Sequence, residues 1–111
     1  MKTMYTVIIR TTKTYKVCCI TEYKIEAYIV WSKQVERLKK STNIKNEEVV
    51  MLFEVNDTVN SGIKQLETFV GKTIKSRTEE ERIIDKFCKV NSGTTGTVIE
   101  YFDPEEDIEE D

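Results

Sequence analysis

The segment from Glu48 to Val55 constrains the fold of this chain more than any other. Five apolar residues in a row stand between its two glutamates, and three of its eight residues are valines, which favour strands. A strand with one solvated face alternates apolar and polar residues, so a near-continuous apolar run is typical of a strand that is covered on both faces or lies near the centre of a sheet. We therefore predict that this segment anchors a β-sheet.

Three further strands are predicted from alternation with a period of two. Residues alternate in this way from Met4 to Thr12 and from Thr14 to Thr21, and β-branched and aromatic residues are frequent in both runs. A tight turn over residues 11–13 is predicted to join the two runs as a hairpin. The run from Thr95 to Phe102 alternates similarly and predicts a last strand, which Pro104 ends.

A change of period to three and four residues predicts the first helix, between Glu22 and Lys40. Thr21 is its predicted cap, and three cations in its last turns, Arg37, Lys39 and Lys40, oppose the negative end of the helix dipole. Its predicted apolar face consists of Ile25, Tyr28, Ile29, Ser32, Val35 and Leu38.

Two more helices are predicted between the central strand and the last strand. The earlier one is capped by Asp57 or Thr58 and has Gly71 as its weak point or end. Its predicted apolar face consists of Val59, Ile63, Leu66, Val70 and Ile74. The later one begins at a capping box formed by Thr78 and Glu81 and stops near residues 91–93.

The predicted order β-β-α-β-α-α-β makes an α+β domain, in which about three helices pack on one face of a four-stranded sheet that is mixed or antiparallel. A chain of 111 residues can bury one compact core. We therefore expect one globular domain over residues 1–102, followed by a separate tail over residues 103–111. Exposed strand edges allow either a monomer or a homodimer.

The tail differs from the domain in charge. Its nine residues hold seven carboxylates and no cation, whereas residues 1–102 carry 17 Lys and Arg against 13 Asp and Glu, so a body of +4 lies within a chain of −3. A run of like charge repels itself and stays solvated, which predicts a disordered tail that either keeps the protein soluble or binds a partner. As partner-binding residues we predict Asp103, Glu105, Glu106, Asp107, Glu109, Glu110 and Asp111.

The composition argues against an enzyme or a metal protein. There is no histidine, which removes the commonest general base, and Glu79 to Glu81 are explained as first-turn and capping acids. Cys18, Cys19 and Cys88 lack metal-ligand spacing and are odd in number, so we expect free thiols in a reducing cytoplasm. No catalytic residue, metal site or cofactor is predicted, and no segment suits a membrane span or a signal peptide.

Two groups of basic residues suggest an alternative function in binding RNA or single-stranded DNA. The first group shares one stripe of the predicted first helix, and the second crowds the hairpin tip around an aromatic residue that could stack on a base. The groups are Lys33, Arg37 and Lys40, and Arg10, Lys13, Tyr15 and Lys16. A solvated helix face is the simpler explanation of the stripe, because an amphipathic helix needs polar residues outside.

No motif identifies a family. The general profile is a short single domain, rich in Lys, Ile, Thr, Glu and Asn, with an acidic end and no catalytic signature. It resembles the small proteins that bacteriophages and other mobile elements use to block host enzymes, anti-CRISPR proteins among them. This resemblance implies a non-enzymatic inhibitor that binds a host nucleic-acid-handling protein, and carboxylates suit the basic surface of such a partner.

Overall fold

The computed structural model describes residues 2–11, 14–40, 48–57, 64, 67–74 and 94–104. Its strands and helix are β1 (Lys2–Arg10), β2 (Tyr15–Thr21), α1 (Lys24–Lys40), β3 (Val49–Asp57), β4 (Thr73–Ile74) and β5 (Thr94–Phe102). They form one sheet in the order β4-β2-β1-β3-β5, in which every described strand pair is antiparallel. The α+β class is confirmed, with four long antiparallel strands and one main helix.

β3 lies between two long strands, as the apolar run predicted. It pairs with β1 over its whole length and with β5 on the other side. Its side chains are buried on both faces of the sheet, with Val50 and Leu52 facing α1 and Val49, Met51, Phe53 and Val55 on the opposite face. The prediction of a strand covered on both faces is therefore confirmed.

Helical residues occur on both faces of the sheet, and not on one face as predicted. α1 packs on the face that contains Val50 and Leu52. Phe69, from a helical stretch at residues 67–69, packs on the opposite face against the cluster that contains Ile8 and Val17. The reason is that β1, β2 and β3 all carry apolar side chains on both sides, so either face left bare would expose a large apolar surface.

The buried face of α1 differs from the predicted one. Ile25 and Ile29 are 72% and 51% exposed, whereas Ala27 is fully buried. Val35 and Leu38 are buried as predicted, and Tyr28, Val30 and Trp31 are partly buried against the sheet. Apolar residues occur nearly all round the first half of the helix, so their spacing alone does not select a face. The small side chain of Ala27 brings the helix axis close to the sheet.

Thr21 stabilises the start of α1. It lies two residues before Tyr23, whose carbonyl is the first that accepts a helical hydrogen bond. The backbone N–H of Tyr23 donates to the Thr21 hydroxyl oxygen at 3.1 Å, and that hydroxyl donates to Glu26 Oε1 at 3.0 Å. The Tyr23 carbonyl then accepts from the N–H groups of Glu26 and Ala27. Thr21 thus stabilises the turn that leads into the helix. Among the described residues, no helix is both long and apolar enough to cross a membrane.

Gly71 ends the helical stretch, as predicted, whereas Ile74 lies beyond it in β4 and not on the apolar face of the helix. Its φ of 79° is left-handed, and its N–H donates to the Val17 carbonyl at 2.9 Å. Thr73 and Ile74 then pair with Lys16 and Tyr15 as the short edge strand β4. A left-handed glycine after the last helical turn is a common helix end. The predicted third helix, residues 78–91, lies outside the described residues.

We predict that Gly71→Ala destabilises the fold by about 1–2 kcal/mol, because the left-handed conformation is unfavourable for alanine even where no neighbouring atom meets its Cβ. No heavy atom lies within 4 Å of the position that a Cβ would take, so the cost is one of backbone conformation alone. Urea unfolding followed by the fluorescence of the single tryptophan measures it. Gly71→Asn is the control, with a smaller expected loss, and equal stability of the alanine variant would contradict the left-handed turn.

Candidate functional site

A cleft of about 500 Å³ lies on the α1 side of the sheet, at the end where the β1–β2 hairpin turns. Its floor contains Ile9 of β1 and Cys18 of β2, and one wall is the second half of α1. Thr73 of β4 lines the far side. The helix contacts β1, β2 and β3, and the cleft lies between its second half and the hairpin end of β1, β2 and β4.

Two cations and one carboxylate line the cleft. Arg37 donates to both oxygens of Glu48, from Nη2 to Oε1 at 2.8 Å and from Nη1 to Oε2 at 3.5 Å, while its Nε donates to Gln34 Oε1 at 2.9 Å. The second cation, Lys16, is exposed and makes no ion pair with another described residue. The Arg37 and Glu48 side chains are partly exposed, so their ion pair contributes at most about 1 kcal/mol.

Hydroxyl groups close the hairpin end of the cleft. The Thr11 N–H donates to the Thr14 carbonyl at 2.9 Å, and the two threonine hydroxyl oxygens lie 2.7 Å apart. This turn confirms the predicted position of the hairpin connection. The two hydroxyls bond within the turn, whereas Lys16 and Arg37 give the cleft charged hydrogen-bond donors, which suit a carboxylate or a phosphate.

The described cysteines are unsuited to nucleophilic chemistry. Burial is the main cause that raises the pKa of both the Cys18 and the Cys19 thiol above 9.0, and the nearby Lys16 ammonium only partly opposes it at Cys18. A thiol with a raised pKa holds its proton at neutral pH, whereas the thiolate is the reactive form. Cys18 therefore serves as an apolar part of the cleft floor. Cys88 lies outside the described residues.

We predict that these two thiols make the fold less stable as pH rises above about 9. The folded state holds the thiol protons more tightly than the unfolded chain, so this contribution is complete below the unfolded pKa of 9.0 and is lost as pH rises through the higher folded value. Urea unfolding at several pH values measures the slope, and Cys18→Ala with Cys19→Ala should flatten it. An unchanged slope in that double variant would contradict the role of the thiols.

The tail begins at the same end of the sheet as the cleft. Phe102, the last residue of β5, is buried and pairs with Val50, and the Lys39 Nζ lies 5.8 Å from the centroid of its ring. Asp103 and Pro104 follow and are partly exposed. The first predicted partner-binding acid is thus held at the end of a long strand. The other six, Glu105, Glu106, Asp107, Glu109, Glu110 and Asp111, lie outside the described residues.

The predicted nucleic-acid-binding residues differ in their exposure and in their contacts. Lys33 and Lys40 are exposed on α1, and Arg37 is exposed but bound to Glu48. Lys16 and Arg37, one from each basic group, meet in the cleft. Arg10 is partly buried at the end of β1, and Lys13 lies outside the described residues.

Tyr15 is a core residue and is not placed to stack on a base. It is only 2% exposed and packs with Ile8 and Val17 on the face of the sheet opposite α1. Its alternation with Val17 along β2 was the sequence signal for an inward position. The aromatic part of the predicted hairpin-tip site is therefore absent from the surface.

Exposed apolar side chains form a feature that the sequence patterns missed. Tyr23, Ile25 and Ile29 are exposed at the first half of α1, and Val98 and Tyr101 are about half exposed on β5. Tyr101 directly precedes the buried Phe102, so it lies beside the root of the tail. Exposed aromatic residues of this kind act as anchors at protein interfaces.

No group of three potential metal ligands occurs among the residues that the structure describes. The cleft, the tail root and the exposed apolar residues offer electrostatic and apolar contacts. Comparison of the chain with protein-family models, with curated proteins and with solved structures finds no match in any of the three.

Proposed function

We propose that this protein is a non-enzymatic interaction protein, an inhibitor from a phage or mobile element in the manner of anti-CRISPR proteins. Its carboxylates engage the basic, nucleic-acid-binding surface of a host protein in the cytoplasm. The observation that carries the proposal is the position of Asp103, which follows the last residue of β5 and begins the acidic segment 103–111 of the sequence.

Two kinds of contact support this function. Seven carboxylates within nine residues match a surface that binds phosphates, because Arg and Lys clusters accept either group through charge-assisted hydrogen bonds. Beside the root of this segment, the half-exposed Tyr101 offers an aromatic anchor. Charge then steers the encounter and sets its specificity, while apolar contact supplies affinity.

A titration against the captured host protein tests the proposal. The full chain is immobilised, a retained host protein is identified, and its affinity is measured for the full chain and for a variant in which all seven tail acids are replaced by Asn and Gln. We expect affinity to fall at least about tenfold in this variant at low salt, and the difference to shrink at about 1 M NaCl, where the screening length is about 3 Å. The neutral variant keeps the length and root of the tail, so it isolates charge.

Equal affinity of the neutral variant would remove the tail from the mechanism. A retained partner with no affinity for nucleic acid would contradict the proposed class of partner. Turnover of a small molecule by the purified chain would contradict the non-enzymatic function altogether.

The convergence of Lys16 and Arg37 in one cleft favours a second candidate function, a small module that binds RNA or single-stranded DNA. Binding to phosphates would be salt-dependent, with a slope proportional to the number of phosphates contacted. Filter binding at low salt tests it, with Lys16→Gln expected to weaken binding and Lys24→Gln, at the other end of α1, expected to leave it unchanged. Absence of binding at low salt would exclude this candidate.

A further inference from the structure

The cleft beside α1 already holds one carboxylate on a cation. Glu48 accepts two hydrogen bonds from Arg37, and Lys16 stands on the opposite side without an ion pair to another described residue. Two cations thus face one carboxylate among the charged residues that line the cleft. A further carboxylate would be held by charge-assisted hydrogen bonds from Lys16 and from N–H groups of Arg37 not used by Glu48.

The last residue of β5 lies on the same row across the sheet as Lys16. Phe102 pairs with Val50, Val50 pairs with Ile9, and Ile9 pairs with Lys16. Three strand spacings separate the ends of this row, which is about 14 Å. The seven residues after Pro104 span up to about 23 Å when extended. Val50 and Ile9 are buried under α1, so the segment has to pass round the helix, and its extended length exceeds the direct separation by about 9 Å.

We propose that the cleft is a binding site for an acidic peptide, and that its occupant is this chain's own segment 105–111. Six of these seven residues are Asp or Glu, and the seventh is Ile108, which matches the apolar floor of Ile9 and Cys18. Lys39, whose Nζ lies over the Phe102 ring, adds a cation next to the point where the acidic tail begins. Charge, length and point of departure therefore all favour this occupant.

This contact deepens the proposed function by regulating the same carboxylates. A host protein with a basic surface competes with the cleft for the tail, so the tail is released only to a partner of higher positive potential. The competition with a host protein rests on the proposed function. The contact between the tail and the cleft within one chain does not depend on it.

Zero-length cross-linking of the full chain with a carbodiimide tests the contact, because this reagent joins a lysine amine only to a carboxylate in direct contact. We expect an amide between Lys16 and an acid of the segment 105–111, identified by mass spectrometry of peptides from the monomer. Its yield should fall at least about tenfold at about 1 M NaCl, where the screening length is about 3 Å. Glu48→Gln should raise the yield, since it removes the carboxylate that competes for Arg37.

Matched variants and isotope mixing decide between the outcomes. Lys16→Gln should abolish this product, while Lys24→Gln, which changes the same charge at the far end of α1, should leave it unchanged. Tail acids joined only to lysines outside the cleft would overturn the proposal. In a mixture of light and ¹⁵N-labelled chains, products that join one light and one heavy peptide would show a second copy as the occupant and would also overturn it. No partner protein is needed, so failure here is separate from failure of the host-protein titration.

Discussion

Replacement of Leu52 by alanine is expected to destabilise the fold by about 2–5 kcal/mol. Leu52 is fully buried at the centre of β3, between Val7 of β1 and Glu100 of β5, and it packs in the cluster under α1. Truncation removes apolar contact and leaves a cavity that the surrounding strands cannot close. Urea unfolding followed by Trp31 fluorescence measures the loss, since Trp31 packs against the same cluster.

Val98→Ala is the matched control for this change. Val98 lies on β5 and is about half exposed, so its truncation should change stability by much less than that of Leu52. Equal losses at the two positions would contradict the central, doubly covered place of β3.

Enlarging Ala27 to leucine is expected to destabilise the fold by about 1–3 kcal/mol, because added atoms at a fully buried, close-packed position force the helix and the sheet apart. Ala27 is fully buried against the sheet with Val35 and Leu38. Alanine and leucine have similar helix propensities, so the loss measures overpacking between α1 and the sheet and not a weaker helix. The same fluorescence-detected unfolding provides the number.

Ile25→Ala tests the rotation of α1 at a position that the structure leaves exposed. Ile25 is among the most exposed large side chains, so its truncation should change stability by no more than about 0.5 kcal/mol. The apolar face predicted from the sequence, which contains Ile25 and omits Ala27, requires the opposite result at both positions.

The sheet could be predicted from sequence because each strand carries its own pattern. Alternation marked β1 and β2, and the continuous apolar run marked β3. The rotation of α1 could not be predicted in this way, because Ile25 and Ile29 are as apolar as the residues that are buried. The choice depends on how closely the helix can approach the strands, which is a tertiary property that local spacing does not encode.

The cleft is beyond sequence patterns for a related reason. The charged residues of the cleft come from separate parts of the chain, namely Lys16 of β2, Arg37 of α1 and Glu48 before β3. They meet because α1 packs against β1 and β2. Spacing along the chain placed Lys16 and Arg37 in two separate basic groups and gave no role to Glu48. The acidic tail, by contrast, was evident at once, since its charge is contiguous and needs no fold to bring it together.

The position of β5 also bears on aggregation. Within the part of the chain that the structure describes, this nine-residue strand has a neighbour on one side only. Such an edge is a template on which further strands can add, and fibrils grow by that route. The register shift between β3 and β5 at Leu52/Phe53 bends the strand, and bent edges stack poorly. We therefore expect the irregularity to disfavour the addition of further strands at this edge.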